Sequence, residues 1–202
     1  MKTAYLNIAL SMLVLLCAGC ASQVTSEVTR FHQDMRPMGE TVAIVPLDQA
    51  RQGSLEFAAY AKLVAEKLTD IGYQVVAAGA KPDLLAKMDY AVGPAQTRIR
   101  SMPRNFVYYR FNYGYFHPYY FGNYWDQPEV YSYTVYPRTL DLTIVRASGE
   151  SLFEGHVKSI GRQQNINQVM PYLVQAMFNN YPGESGVTKV VTIQKDGSKQ
   201  PF

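Results

Sequence analysis

Residues 139–159 read TLDLTIVRASGESLFEGHVKS. Leu140, Leu142 and Ile144 alternate with Thr139, Asp141 and Thr143; after Ser148-Gly149, Phe153, Gly155 and Val157 alternate with Glu154, His156 and Lys158. Successive side chains of a strand point to opposite faces, so a period of two with one apolar set marks a half-buried strand. Two such runs joined by a Ser-Gly turn form a β-hairpin, one face for a core and one for water. The apolar face needs a second layer to cover it. Whatever supplies that layer decides the fold.

Two segments with helical spacing supply it. Ser54 is a helix N-cap with Glu56 in the first turn, and Phe57, Ala61, Val64, Leu68 and Ile71 recur along one face until Gly72 ends the helix. The second helix starts at a cap on Asn165 or Asn167, takes Pro171 in its first turn, and turns Val169, Met170, Leu173, Val174, Met177 and Phe178 inward. Around the first helix, the apolar run 41–47 suits a strand covered on both faces, and 73–78 returns as a strand parallel to it. Leu84, Ala86, Met88, Tyr90 and Val92 define another half-buried strand, which ends at Gly93-Pro94 or continues past a bulge to Ile99. Residues 24–31 alternate weakly, as in an edge strand, and 187–193 form a last edge strand. The expected fold is α+β: two helices packed on one face of a mainly antiparallel sheet, with a long aromatic-rich hairpin.

The start of the chain carries an address. Lys2 precedes an apolar run from Ala4 to Leu16 broken by Asn7 and Ser11. That is shorter than the roughly 20 residues of a membrane-spanning helix and has the layout of a secretory signal. Cys17-Ala18-Gly19-Cys20 is similar to the lipobox of bacterial lipoproteins, with Cys17 where Leu is usual. That resemblance implies removal of residues 1–19, diacylation of Cys20 as the new N-terminus, and a lipidated tether over 20–23. Ala21-Ser22, without Asp, resembles the pattern sorted to the outer membrane. The chain has two cysteines, Cys17 and Cys20, so the processed domain (24–194, followed by a polar tail 195–202) has no free thiol and must fold on its core alone. The net charge of +3 is spread along the chain without a basic stripe, which argues against nucleic acid as a partner.

The insertion 104–138 is the odd segment. Residues 111–125 read FNYGYFHPYYFGNYW, and about half the positions from Phe106 to Tyr136 are aromatic. One reading is a long hairpin with arms Val107–Tyr109 and Tyr131–Val135, its rings packed on the open face of the sheet. A second is an exposed aromatic tip that binds a partner, since Tyr and Trp join an apolar body to a polar edge. A third is a low-complexity insertion. Asn112, Gly114, Pro118, Gly122 and Asn123 interrupt the middle. The combination favoured is arms in the sheet with Tyr113, Tyr115, Phe116, Tyr119, Tyr120, Phe121, Tyr124 and Trp125 as the candidate contact for an envelope protein, a glycan or lipid headgroups.

The order of a lipobox, ETVAIVPL, LTDIGYQVV, KPDLLAKMDYAVG, LDLTIVRASGESLFEGHV and a last helix before a proline resembles the lipoproteins of the domain of unknown function 4136 family, from the Gram-negative envelope. The resemblance spans about residues 22–182. Phe153-Glu154-Gly155 is its most specific step, with Phe where the family more often has Trp. It implies a small α+β domain tethered to a membrane and no catalytic residues.

The residues agree. His32, His117 and His156 lie far apart, without a second His or Cys at ligand spacing. There is no Gly-x-Ser-x-Gly elbow, and no cofactor or metal is expected. The rival expectation is an envelope hydrolase built from Asp141, Glu154 and His156.

Overall fold

The computed structural model describes residues 23–33, 39–77, 79–102, 107–112, 115–120 and 129–195; across 107–112 and 115–120 it gives the backbone. In chain order the elements are β1 (Gln23–His32), β2 (Thr41–Pro46), α1 (Leu55–Asp70), β3 (Gln74–Val75), β4 (Leu84–Val92), β5 (Gln96–Met102), β6 (Val107–Asn112), β7 (Tyr115–Tyr120), β8 (Glu129–Arg146), β9 (Ser151–Gly161), α2 (Met170–Phe178) and β10 (Val187–Gln194). The sheet runs β10-β1-β9-β8-β4-β2-β3, with β5 extending it along β8. β2 is parallel to β3 and β4, and the other pairings are antiparallel. This is the α+β class read from the sequence.

The hairpin forms as its alternation demands. Leu140 pairs with Val157, Leu142 with Gly155 and Ile144 with Phe153, all on the helix side. Leu140, Ile144 and Phe153 are completely buried, beside Leu84, Ala86, Met88 and Tyr90 of β4. A bulge at Ile144/Val145 lets Val145 and Leu152 bury as well. α1 and α2 pack together over this face through Phe57, Tyr60, Val64 and Leu68 of one and Met170, Leu173, Val174 and Met177 of the other.

The first helix follows its sequence signals. Ser54 Oγ accepts from the Phe57 N–H at 3.4 Å, and Gly72 takes φ 108° just past the end. The parallel β2–β3 pair closes the β-α-β unit. Asp83 clasps it to β4: its Oδ2 accepts from the Thr41 N–H at 2.9 Å and the Thr41 hydroxyl at 2.6 Å, while the Asp83 N–H donates back to Thr41 Oγ1 at 3.0 Å. Those bonds hold the Asp83 carboxyl below its ordinary value.

Three expectations are corrected. β1 is an interior strand, flanked by β10 and β9. Its alternation looked weak because two of its four buried inward positions, Ser26 and Arg30, are polar. Helix α2 has no side-chain cap: Asn165 precedes a 3-10 turn at Ile166–Gln168, makes no capping bond, and Val169 begins the helix. Finally, the partner of Tyr131–Val135 is Gln96–Arg100, while Val107–Asn112 pairs with Tyr115–Tyr120 in a separate two-stranded sheet. Of the two readings of residues 93–99, the chain takes the one that continues. Val92 faces Arg138 and Gln96 faces Val135, so one extra residue is looped out between them as a bulge.

Candidate functional site

The face of the sheet opposite the helices is polar and crossed by one row of side chains. The ladder places Thr188, Thr29, His156, Asp141 and Asp89 side by side across β10, β1, β9, β8 and β4. His156 Nδ1 lies 2.6 Å from Asp141 Oδ1, and both side chains are well exposed. Asp89 meets Arg51 at 3.1 Å. Thr29, on the other side of His156, shares a 2.7 Å hydrogen bond with Thr188. Glu154 lies on the same face, but its carboxylate accepts from Ser151 at 2.9 Å. The sheet therefore joins two of the three rival catalytic residues and turns the third elsewhere. The row resembles an acid–base pair without the rest of a hydrolase site. β1 and β9 are interior strands whose N–H groups are committed to the ladder, and these are the donors an oxyanion would need. Among the described residues there is no group of three or more His, Cys, Asp or Glu able to hold a metal.

At the far end of β1 an open groove of about 330 Å³ is lined by Phe31, His32, Leu152, Phe153, Glu154 and Ser185, among others. Both ring nitrogens of His32 face carbonyl oxygens, Gln33 at 2.8 Å and Gly183 at 3.1 Å. His32 thus fastens β1 to the turn before β10. His117 lies in β7, whose side chains are outside the described residues.

Two buried arginines escaped sequence reasoning. Arg30 Nη2 donates to the Ala176 and Asn179 carbonyls at 2.9 and 2.8 Å, capping the C-terminus of α2 where a cation offsets the helix dipole. Arg138 donates to Ser159 Oγ at 3.1 Å and to the Gln163 carbonyl at 3.3 Å. Burial pushes both guanidinium groups below their ordinary value. Their roles are structural, and the only signal for them was a cation at an inward register position.

Beyond the end of β9, β8 continues with β5 alone as a two-stranded ribbon. Arg98 faces Tyr133 and Arg100 faces Tyr131 on one side; Ile99 faces Ser132 and Ser101 faces Val130 on the other. Ile99 is 72% exposed and Val130 60%. Arg162 stacks over the Tyr133 ring, 5.0 Å from its centroid. Of the candidate aromatic contacts, Tyr115, Phe116, Tyr119 and Tyr120 lie in β7, of which the backbone is described, and Tyr113, Phe121, Tyr124 and Trp125 lie outside the described residues. Cys20 also lies outside them.

Residues 29–183 match the family model of a domain of unknown function, DUF4136. The chain belongs to this family. Among solved structures, the DUF4136 chain is similar to a PDZ domain protein from Parabacteroides distasonis ATCC 8503, at 16% identity and a TM-score of 0.46, over 90% of this chain and 41% of that one. It thus spans less than half the length of that protein. It is also similar to a PelC dodecamer from Paraburkholderia phytofirmans, at 13% identity and a TM-score of 0.39, over 75% of this chain and 93% of that one. A second crystal form of that dodecamer gives 10% identity and a TM-score of 0.35, over 76% and 91%. Likenesses this distant transfer neither assembly nor activity to the DUF4136 chain. Among curated proteins, none matches it.

Proposed function

We propose that this DUF4136 chain is a lipid-anchored module of the bacterial outer membrane, its domain in the periplasm, acting by binding or by structural support rather than by catalysis. One observation carries the reading. The lipobox cysteine, Cys20, stands three residues before Gln23, where β1 begins. An acylated Cys20 therefore holds the sheet itself at the bilayer, with no linker long enough to let the domain roam. The aromatic residues Tyr113 to Trp125 remain the proposed partner contact, carried between the ends of β5 and β8.

Replacing residues 113–125 with a short Asn-Gly turn tests this. Hairpin closure depends weakly on loop length, so the variant melts within a few degrees of the parent. In cells it loses the crosslinked adducts that the parent forms in the envelope. Loss of cooperative melting places the segment in the core, and unchanged adducts place the binding elsewhere.

The Asp141–His156 pair supports one second reading, an envelope hydrolase in which His156 acts as the base. It is separated from the first by substituting Asp141, Glu154 and His156 together, which leaves the envelope phenotype of a binding module intact.

A further inference from the structure

The sheet register shows which end of the domain the ribbon leaves from. Ser26 pairs with Ser159, and Ser159 with Arg138. Gln23, three residues before Ser26, therefore stands level with Val135, three residues before Arg138. From Val135 back to Glu129, β8 runs six residues further in the same direction. At about 3.4 Å per residue that is an overhang of roughly 20 Å past the start of β1. The tether from Cys20 to Gln23 spans at most about 11 Å when fully extended. The overhang is longer than the tether, and both leave the same end of the sheet. Even a ribbon tilted so that half its length is lost rises as far as the anchor reaches.

The ribbon's chemistry suits what it would meet there. Residues 96–101 and 130–135 contain Arg98 and Arg100 and no carboxylate; the nearest acid in the chain is Glu129, at the far end. The arginines share a face with Tyr131 and Tyr133, and Ile99 and Val130 are exposed on the other. A two-stranded ribbon exposed on both faces is marginal in water without a third strand or a covering layer. Arginine binds phosphate with two parallel N–H bonds, and tyrosine settles where an apolar medium meets a polar one.

We infer that the β5–β8 ribbon is a second membrane contact, in which Arg98 and Arg100 bind the phosphates of lipid headgroups while Ile99 and Val130 enter the interface. The inference rests on the acylation of Cys20 proposed above. It fixes how the domain stands: anchor and ribbon touch the bilayer together, while the Ser148-Gly149 turn and the groove at Phe31 point away from it.

The test uses the full acylated protein in phosphatidylethanolamine–phosphatidylglycerol vesicles, with an environment-sensitive fluorophore on Ile99→Cys, Val130→Cys or Ser148→Cys. Mass spectrometry of the same samples reads the acylation of Cys20. The expected result is blue-shifted emission and protection from aqueous iodide at positions 99 and 130, with position 148 fully quenched. Adding Arg98→Gln and Arg100→Gln returns position 99 to aqueous emission. Aqueous emission at 99 and 130 in a protein whose Cys20 is acylated overturns the ribbon contact and leaves the anchor standing. Protection that survives the loss of both arginines overturns their assignment to phosphate. An unacylated Cys20 removes the anchor and the inference together.

Discussion

Gly155 offers a direct test of how the second helix meets the sheet. It lies on the helix side of β9, opposite Leu142 on one neighbour and Arg30 on the other. A Cβ built there collides with Met177 Sδ and comes within 2.8 Å of the Phe153 ring. Met177 and Phe153 are both completely buried, so neither can swing into solvent to make room. Forcing a methyl into a filled core costs about 1–3 kcal/mol. Replacing glycine within a strand returns about 0.5–1 kcal/mol by restricting the unfolded chain. The balance for Gly155→Ala is a loss of about 1–2 kcal/mol. In a domain of this size that lowers Tm by about 2–8 °C. Gly79→Ala is the control, because nothing lies within 4 Å of its built Cβ; it should stay within about 0.5 kcal/mol. Thermal melts followed by circular dichroism read both. Combining Gly155→Ala with Met177→Ala should cost less than the sum of the two single changes by more than about 0.5 kcal/mol, because the second removes the atom that the first strikes. A Gly155→Ala protein as stable as the parent, or strict additivity in the double variant, would refute the close approach of α2 to β9.

Other predictions follow from the same geometry. Leu142→Ala, at 1% exposure, should cost about 2–5 kcal/mol and Val64→Ala, fully buried, about 2 kcal/mol, against well under 1 kcal/mol at Thr143 or Lys67, measured by urea denaturation. The Thr41 bonds depress the Asp83 pKa, so its contribution is complete above the ordinary value of 3.8 and is lost as the pH falls through the folded value. Asp83→Asn should therefore melt below the parent at neutral pH, and the two curves should converge in acid; a gap independent of pH would contradict the clasp. Purified protein with Asp141→Asn and His156→Ala should match the parent against ester and glycoside substrates, and a specific loss of turnover would favour the hydrolase.

What was legible in the sequence followed contrast between the two faces of an element. The 139–159 hairpin, the 84–92 strand and the first helix each set apolar positions against polar ones at a clean period, and each formed as read. β1 lost that contrast because Ser26 and Arg30 occupy inward positions, the second to cap α2 from across the sheet. No local pattern announces a cation whose partners are carbonyls about 150 residues away. The segment 96–102 was overlooked as a ribbon arm for the opposite reason: both its faces meet solvent, so it shows no alternation, and the aromatic residues beyond it looked like the better partner for Tyr131–Val135. The Asp141–His156 pair was visible as residues on polar faces, but their meeting depended on the register, which the bulge at Ile144/Val145 helps to set. Gly155 reads as a gap in an apolar face until α2 is laid over it.

The account turns on the anchor, and the mass of the mature protein tests it most directly. Protein extracted from the envelope with detergent should begin at Cys20 and carry fatty-acyl groups on that residue. Cys20→Ser should abolish both the acyl mass and the labelling by fatty acid, and should release the domain from the membrane fraction. A mature chain that begins elsewhere, or a Cys20→Ser protein that is still processed, labelled and membrane-bound, would contradict the account.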